Sequence, residues 1–165
     1  MFNIILVENN SMVRKLIELY IEKEKKYKLV ASIDNLSNIN QICITHKANL
    51  ILMDTCIEMD VNGFEASKNI KKHIENIKII LMTDLPEYSF VKKAKDIGID
   101  SFWYKEDDQY QLLKIMELTM EGKSVYPDRI PIVKLGAASS NDFTTSSCVI
   151  FLFFLDSARN LPIFS

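Results

Sequence analysis

The sequence predicts an α/β fold in which five parallel strands alternate with five helices. Short apolar runs of strand length alternate with segments whose apolar residues recur at the spacing of a helix. The runs are also apolar on both faces, as strands of a parallel sheet covered by helices must be. The expected strands span residues 3–7, 29–33, 50–53, 77–82 and 101–104. Right-handed crossovers then place all five strand ends on one edge of the sheet.

The segments between these strands carry helix signals. Helices are expected at residues 11–23, near 38–46 and at 109–121, a third helix is expected to include 66–74, and a fourth is expected to carry Phe90, Val91, Ala94 and Ile97. Asn10 or Ser11 can cap the first helix, whose apolar face is expected to contain Met12, Val13, Leu16, Ile17 and Tyr20. Pro86 suits the first turn of the fourth helix. Gly98 and Gly122 are expected to end the fourth and fifth helices.

Length and composition limit the kind of protein. The 165 residues suffice for one folded domain over 1–121, a linker over 122–141 and a short apolar tail over 142–165. A net charge of −2 gives no basic field for nucleic acid. Cys43, Cys56 and Cys148 are widely spaced, which indicates reduced thiols in a cytoplasmic protein. The longest apolar run, residues 149–155, is too short to span a bilayer, and no signal peptide is recognisable.

Polar side chains follow four of the expected strands. Glu8 and Asn9 follow the first, Asp54 the third, Thr83 the fourth and Lys105 the fifth. Ligands bind at this edge of an open α/β sheet. The acid and amide oxygens suit Mg²⁺, and a carboxylate beside it can attack a phosphoryl group. A hydroxyl and an ammonium can bind the phosphoryl oxygens. Taken singly, each residue is more often a cap, a strand residue or a solvated charge, so the prediction depends on their joint order.

Residues 1–121 resemble the receiver domain of bacterial two-component response regulators, in particular the NarL/LuxR type. The stretches that carry the resemblance are Ile5-Leu6-Val7-Glu8-Asn9, Leu52-Met53-Asp54, Asn62-Gly63-Phe64-Glu65, Ile80-Leu81-Met82-Thr83, and Ala94 through Gly98 to Lys105. The resemblance implies a flavodoxin-like, CheY-like doubly wound sheet with strand order 2-1-3-4-5. It also implies a response regulator that takes a phosphoryl group from a sensor histidine kinase, with slow self-catalysed loss of the phosphate but no enzymatic turnover.

The same resemblance implies a role for each residue of the site. Asp54 would be the phosphoacceptor, Thr83 the switch hydroxyl and Lys105 the lysine that pairs with phosphate. Phe102 stands at the family's aromatic switch position. Mg²⁺ would be bound by Glu8, Asn9, Asp54 and the backbone carbonyl of Cys56. Phosphorylation is then expected to change the face around the fourth helix and fifth strand, where Tyr88, Phe90 and Tyr104 lie. Homodimerisation through that face is left open.

The sequence departs from the family pattern near the site. Asn9 stands where a second acid is usual, which should weaken Mg²⁺ binding because one charge is missing. Asp84 follows the switch threonine, where a small residue is usual, and could repel a phosphoryl donor. Glu106 replaces the proline that usually follows the lysine. The loop from Asp54 to Gly63 is one residue longer than typical and lacks the usual Met-Pro.

The C-terminal part resembles a NarL/LuxR-type regulator only in its beginning. Residues 121–127 are similar to the passage from receiver to linker, and residues 143–155 to the opening of a helix-turn-helix domain. No recognition helix follows, so this chain alone is not expected to bind DNA, although full-length relatives regulate transcription. The apolar run is expected to fold back, to pair with another copy or to promote aggregation.

Three other classes remain as alternatives at this point. A phosphatase of the haloacid-dehalogenase type also uses a strand-end aspartate, but Cys56 stands where its second aspartate belongs. A flavodoxin-like FMN binder needs a glycine- and hydroxyl-rich loop after the first strand, and Glu8-Asn9-Asn10 is not one. A degenerate receiver would serve as an interaction module without phosphorylation.

Overall fold

The five predicted strands form one parallel sheet in the order β2-β1-β3-β4-β5, as the sequence predicts. The computed structural model describes residues 1–57, 62–105 and 109–129. The elements are β1 Phe2–Val7, α1 Ser11–Glu22, β2 Tyr27–Ile33, α2 Ile39–Thr45, β3 Leu50–Asp54, α3 Gly63–His73, β4 Lys78–Thr83, α4 Tyr88–Asp96, β5 Ser101–Tyr104 and α5 Gln109–Met120.

Helices cover both faces of the sheet, which explains why the strands are apolar throughout. Successive strand residues point to opposite faces. Ile51 and Met53 of β3 therefore lie in one buried cluster with residues of α2, α3 and α4, whereas Leu50 and Leu52 lie in the other with residues of α1 and α5. Because the strands are parallel and joined by crossover helices, the carboxyl ends of β1, β3, β4 and β5 lie together at one edge of the sheet.

Several predicted boundaries shift by one to three residues. β2 begins at Tyr27 because the pairing with β1 extends to Phe2, although Lys28 interrupts the apolar pattern. α3, which was expected to include residues 66–74, runs from Gly63 to His73. Pro86 lies before α4 and not in its first turn, because Glu87 is the N-cap and its carboxylate accepts from the Ser89 N–H.

The predicted apolar face of α1 is partly wrong. Met12 and Leu16 are exposed, and the buried side chains of this helix are Ile17 and Ile21. The helix has apolar residues on two stripes, and only the stripe that includes Ile21 faces the sheet. Asn10 is the cap, since its side chain accepts from the N–H groups of Met12 and Val13.

After α5 the chain runs back along the outer edge of β5. Gly122, with φ of +85°, makes the turn, as Gly98 does after α4 with φ of +75°. The Phe102 N–H then donates to the Val125 carbonyl at 2.8 Å, and the Val125 N–H donates to Ser101 Oγ at 3.0 Å. Residues 123–126, called the edge strap below, thus pair with the Phe102 N–H and the Ser101 hydroxyl of an edge strand.

Some predictions concern residues outside the described part. They are the loop residues 58–61, Glu106 and its two followers, Cys148, most of the linker and the whole apolar tail. Within the described residues, Cys43 and Cys56 are buried and are not joined in a disulfide, as expected. No helix in that part of the chain is long and apolar enough to cross a membrane.

Candidate functional site

Three of the predicted site residues meet in one buried cluster at the carboxyl edge of the sheet. The Lys105 ammonium lies 2.6 Å from Glu8 Oε2 and 3.0 Å from Asp54 Oδ1. The side chains of Glu8, Asp54 and Lys105 are 0%, 4% and 8% exposed. Two carboxylates therefore share one ammonium almost out of contact with water, and the cluster carries one excess negative charge.

The start of α1 holds Glu8 in place. The Asn10 N–H donates to Glu8 Oε1 at 2.9 Å, while Arg14 of α1 donates to the Glu8 backbone carbonyl at 2.7 Å. The Asn10 side chain caps the same helix. One short segment at the start of α1 therefore fixes both the helix cap, Asn10, and the acid, Glu8. Arg14 was not among the residues predicted from the sequence, although its position one turn into α1 is a signal for contact with the preceding strand end.

The start of α3 explains why Asn62-Gly63-Phe64-Glu65 belongs to the pattern. A Cβ on Gly63 would lie 2.0 Å from the Asp54 carbonyl oxygen, so no other residue fits without a backbone shift. The Gly63 N–H donates to the Thr55 carbonyl at 3.1 Å. The Cys56 N–H donates to Asp54 Oδ1 at 3.3 Å. The backbone on both sides of Asp54 is thereby fixed.

Burial and charge both act on the acidity of Asp54. Burial raises its pKa, the Lys105 ammonium lowers it and the Glu8 carboxylate raises it again, with a net result of about 7. For Lys105, burial acts to lower the pKa, but the charges of Asp54 and Glu8 outweigh it and the pKa is raised. The lysine is therefore a permanent cation. Ionisation of Asp54, in contrast, is energetically unfavourable, and an added cation would reduce this free-energy cost.

The cluster fits a divalent cation in charge and donor type. Glu8 and Asp54 already contact one common cation, the Lys105 ammonium, so their oxygens are close enough to serve a second. Among the described residues, no three His, Cys, Asp or Glu side chains come together. This agrees with the presence of an amide, Asn9, where a further acid would stand. Asn9 is exposed at the rim and not in the buried cluster.

Asp84 lies close enough to influence the cluster. It is half-buried, and its charge makes the smallest contribution to the raised pKa of Lys105. The residue therefore adds negative potential on the side where Thr83 ends β4. Its predicted repulsion of a phosphoryl donor stays a prediction.

The two predicted switch residues are both fully buried. Phe102 packs edge-on against Tyr104, with ring centroids 5.3 Å apart, and Thr83 Oγ1 lies 2.9 Å from Thr55 Oγ1. Thr55 was not among the site residues predicted from the sequence. A usable signal was present, because Thr55 directly follows Asp54 at the end of β3 and Thr83 ends the neighbouring strand β4. Of the expected exposed face, Tyr88 is 70% exposed, whereas Tyr104 is buried.

A signalling receiver domain is defined by this fold together with the polar residues at the strand ends and the buried acid–lysine cluster. The family model of the response regulator receiver domain matches residues 4–117. The chain belongs to this family and is a receiver domain of two-component signalling. The match decides against the dehalogenase-type and flavin-binding alternatives.

Particular relatives refine the subgroup. The response regulator protein VraR of Staphylococcus epidermidis is 31% identical over 134 residues, which are 80% of this chain and 62% of that protein. VraR of Staphylococcus aureus is similar to the same extent. The chain thus spans less than two thirds of the length of these relatives.

Solved structures support the fold. The receiver domain of RcsB from Salmonella enterica serovar Typhimurium, determined with the phosphomimetic BeF₃⁻, superposes with a TM-score of 0.70 at 19% identity, covering 77% of this chain and 94% of that one. A LuxR-family response regulator from Aurantimonas gives 0.69 at 22% identity, covering 74% and 87%. A DNA-binding LuxR-family regulator from Staphylococcus aureus gives 0.66 at 20% identity, covering 73% and 99%.

Proposed function

We propose that this receiver accepts a phosphoryl group on Asp54 from the phosphohistidine of a sensor kinase. The observation that carries the proposal is the buried sharing of Lys105 by Asp54 and Glu8, which leaves one uncompensated negative charge beside a permanent cation. In the transfer, an Asp54 oxygen bonds to phosphorus while the phosphorus–nitrogen bond to histidine breaks. The proton needed by the leaving imidazole comes from solvent or from the kinase.

Each residue of the site has a defined task in this transfer. Phosphoryl transfer depends mainly on positioning and charge neutralisation. Asp54 is the nucleophile, held by the Cys56 N–H. Lys105 neutralises charge on the phosphoryl oxygens. Thr83 donates a hydrogen bond to one of those oxygens, because its hydroxyl proton remains free to be donated.

Mg²⁺ is the cofactor that the donor set suits best. Glu8, Asp54, the Asn9 amide and the Cys56 carbonyl would hold it, as hard oxygen ligands do. When bound, it would supply positive charge that keeps Asp54 ionised and offsets charge on the phosphoryl group. Since the pKa of Asp54 is about 7 without it, the cation should widen the pH range in which Asp54 is a nucleophile.

The state of Asp54 would be read at the face formed by α4 and β5. Thr83 ends β4 and Phe102 lies in β5 across from Leu81, so a change at Thr83 reaches Phe102 through directly paired strands. The exposed Tyr88 at the start of α4 gives a partner an aromatic contact on that face. We infer that longer relatives use this change to control transcription, and that dimerisation is one form of the output.

Acetyl phosphate and Mg²⁺, followed by intact-mass measurement, test the proposal. The wild-type chain should gain the mass of one phosphoryl group, because Asp54 is the proposed nucleophile and is buried beside the Lys105 ammonium. Asp54→Ala should gain none, whereas Asp100→Ala, which removes a lysine-paired acid at the opposite edge of the sheet, should still gain it. Absence of any gain in the wild type, or a gain that survives in Asp54→Ala, would contradict the proposal.

A further inference from the structure

A pair of threonine hydroxyls lies directly behind the proposed phosphorylation site. Asp54 of β3 pairs with Met82 of β4, so the residues that follow them, Thr55 and Thr83, stand side by side. Thr55 Oγ1 donates to Thr83 Oγ1 at 2.9 Å, and both residues are completely buried. Cross-strand threonine pairs of this kind stabilise neighbouring strands. Here one member of the pair is also the proposed phosphate-binding hydroxyl.

The hydrogen bonds of Thr83 restrain it from two sides. A threonine hydroxyl has one proton to donate and two lone pairs that accept. Thr83 Oγ1 accepts from Thr55 Oγ1 and also from the Leu85 N–H, at 3.1 Å. Both acceptor positions are therefore occupied, and the hydroxyl oxygen is fixed between β3 and the start of the loop before α4.

The direction of the restraint follows from the alternation of side chains along a strand. Thr55 follows Asp54 immediately, so the two side chains leave the backbone on opposite sides. A Thr83 hydroxyl held by Thr55 is thereby drawn towards the side that Met53 and Leu81 bury under α3 and α4. Turning it towards a phosphoryl group on Asp54 must break the bond to Thr55.

Breaking that bond has a second cost at Thr55 itself. Its hydroxyl also lies 3.8 Å from Cys56 Sγ, which is a weak acceptor. A buried hydroxyl that loses its partner is strongly unfavourable. The phosphate-bound arrangement therefore leaves Thr55 poorly paired, and this opposes the switch.

We propose that Thr55 is a positioning residue that latches Thr83 in the phosphate-free arrangement and so sets how readily the receiver switches. The proposal rests on the proposed phosphoacceptor function of Asp54. It assigns a role to the residue directly after the phosphoacceptor through its contact with the switch threonine. Removing the Thr55 hydroxyl while keeping the shape of the side chain should favour the phosphate-bound arrangement.

Titration with beryllofluoride in the presence of Mg²⁺ tests the latch. Trp103, the single tryptophan of the chain, lies in β5 beside Phe102 and reports the change by fluorescence. Thr55→Val should lower the dissociation constant of beryllofluoride about fivefold, the equivalent of one net hydrogen bond. Thr55→Ser, which retains the hydroxyl, should stay close to wild type. Unchanged or weaker binding in Thr55→Val, or equal shifts in both variants, would overturn the latch.

Amide exchange at Leu85 gives a reading that needs no phosphate mimic. In Thr55→Val the Thr83 hydroxyl has lost one restraint, so the Leu85 N–H that donates to it should exchange faster, and in Thr55→Ser it should not. If Thr55→Val does not fold, Thr55→Ala serves in both measurements. If the Trp103 fluorescence of the wild-type chain does not respond to beryllofluoride, the phosphoacceptor function is refuted. If the Leu85 N–H exchanges at the wild-type rate in Thr55→Val, the restraint of Thr83 by Thr55 is separately refuted.

Discussion

Two acid–lysine clusters lie at opposite edges of the same sheet, and their charge balance differs. At the carboxyl edge, Glu8 and Asp54 share the single ammonium of Lys105 and are nearly inaccessible to water. At the amino edge, Asp100 alone faces Lys71 at 2.5 Å and Lys78 at 3.1 Å, and these three side chains are 14% to 31% exposed.

The difference separates a site from a structural clamp. Asp100 also accepts from the Ile79 N–H at 2.8 Å. One carboxylate therefore faces two ammonium groups and a backbone donor, and its negative charge is overcompensated. The Asp54 cluster is undercompensated and buried, which is costly unless a further cation or a chemical change relieves it. Both edges carry a buried or partly buried acid, but of the two clusters only the one at the carboxyl edge is short of positive charge. This shortage of positive charge distinguishes the proposed functional edge.

Asp54→Asn gives the largest expected effect on stability. The folded state raises the pKa of Asp54 from 3.8 to about 7. Keeping this carboxyl ionised therefore destabilises the folded state, and the free energy of unfolding falls as pH rises from about 4 to 7. The amide removes that cost. Urea unfolding at pH 8 in EDTA should show Asp54→Asn more stable than wild type by about 3 kcal/mol.

The pH dependence is the control for this prediction. The difference should shrink as pH falls from about 7 towards 4, because the carboxyl of the folded wild type then becomes protonated and the cost of its charge disappears. It should also shrink when Mg²⁺ is added to the wild type. A difference that is constant between pH 5 and 8 would mean that the cluster is not undercompensated.

Asp100→Asn should act in the opposite direction and less strongly. The change removes the partner of two lysines and weakens the acceptor of the Ile79 N–H. Because charge-assisted hydrogen bonds are lost at a partly exposed site, the free energy of unfolding at pH 8 should fall by about 2 kcal/mol. The same urea titration measures it. Stabilisation here, or loss of phosphorylation by acetyl phosphate, would remove the distinction between the two edges.

Asn9→Asp should give the smallest effect and sharpens the comparison at the functional edge. It adds a carboxylate at the rim of the undercompensated cluster, where a hard cation prefers charged oxygens. Mg²⁺ titration followed by Trp103 fluorescence should show a several-fold lower dissociation constant. An unchanged constant would indicate that Asn9 does not face the cation, and Asn10→Asp, at the helix cap, is the matched control.

The sequence predicted the fold well because strand-length apolar runs and glycine turns are local signals. It predicted Glu8, Asp54, Thr83 and Lys105 for a related reason, since parallel strands bring their ends together whatever the details of packing. The structure places Glu8, Asp54 and Lys105 in direct contact, whereas the ligand and switch roles of the site residues stay predictions. The start of β2 at Tyr27 was missed because it depends on pairing with Phe2.

What the sequence could not give depends on register and on which face of an element is covered. Thr55 matters only because β3 and β4 pair so that it stands beside Thr83. Met12 and Leu16 were placed in the core because α1 carries two apolar stripes, and sequence alone does not say which one meets the sheet. Both errors concern relations between elements, which no local pattern encodes.

The edge strap has a practical consequence for anyone who cuts this chain into pieces. A gene fragment that ends with the last turn of α5 would encode every helix and strand of the described residues, yet the product would lack the carbonyl that accepts from the Phe102 N–H. An open β5 would then be free to pair with β5 of a neighbouring molecule. The smallest self-contained unit therefore extends past Tyr126, and its stop codon belongs beyond that residue.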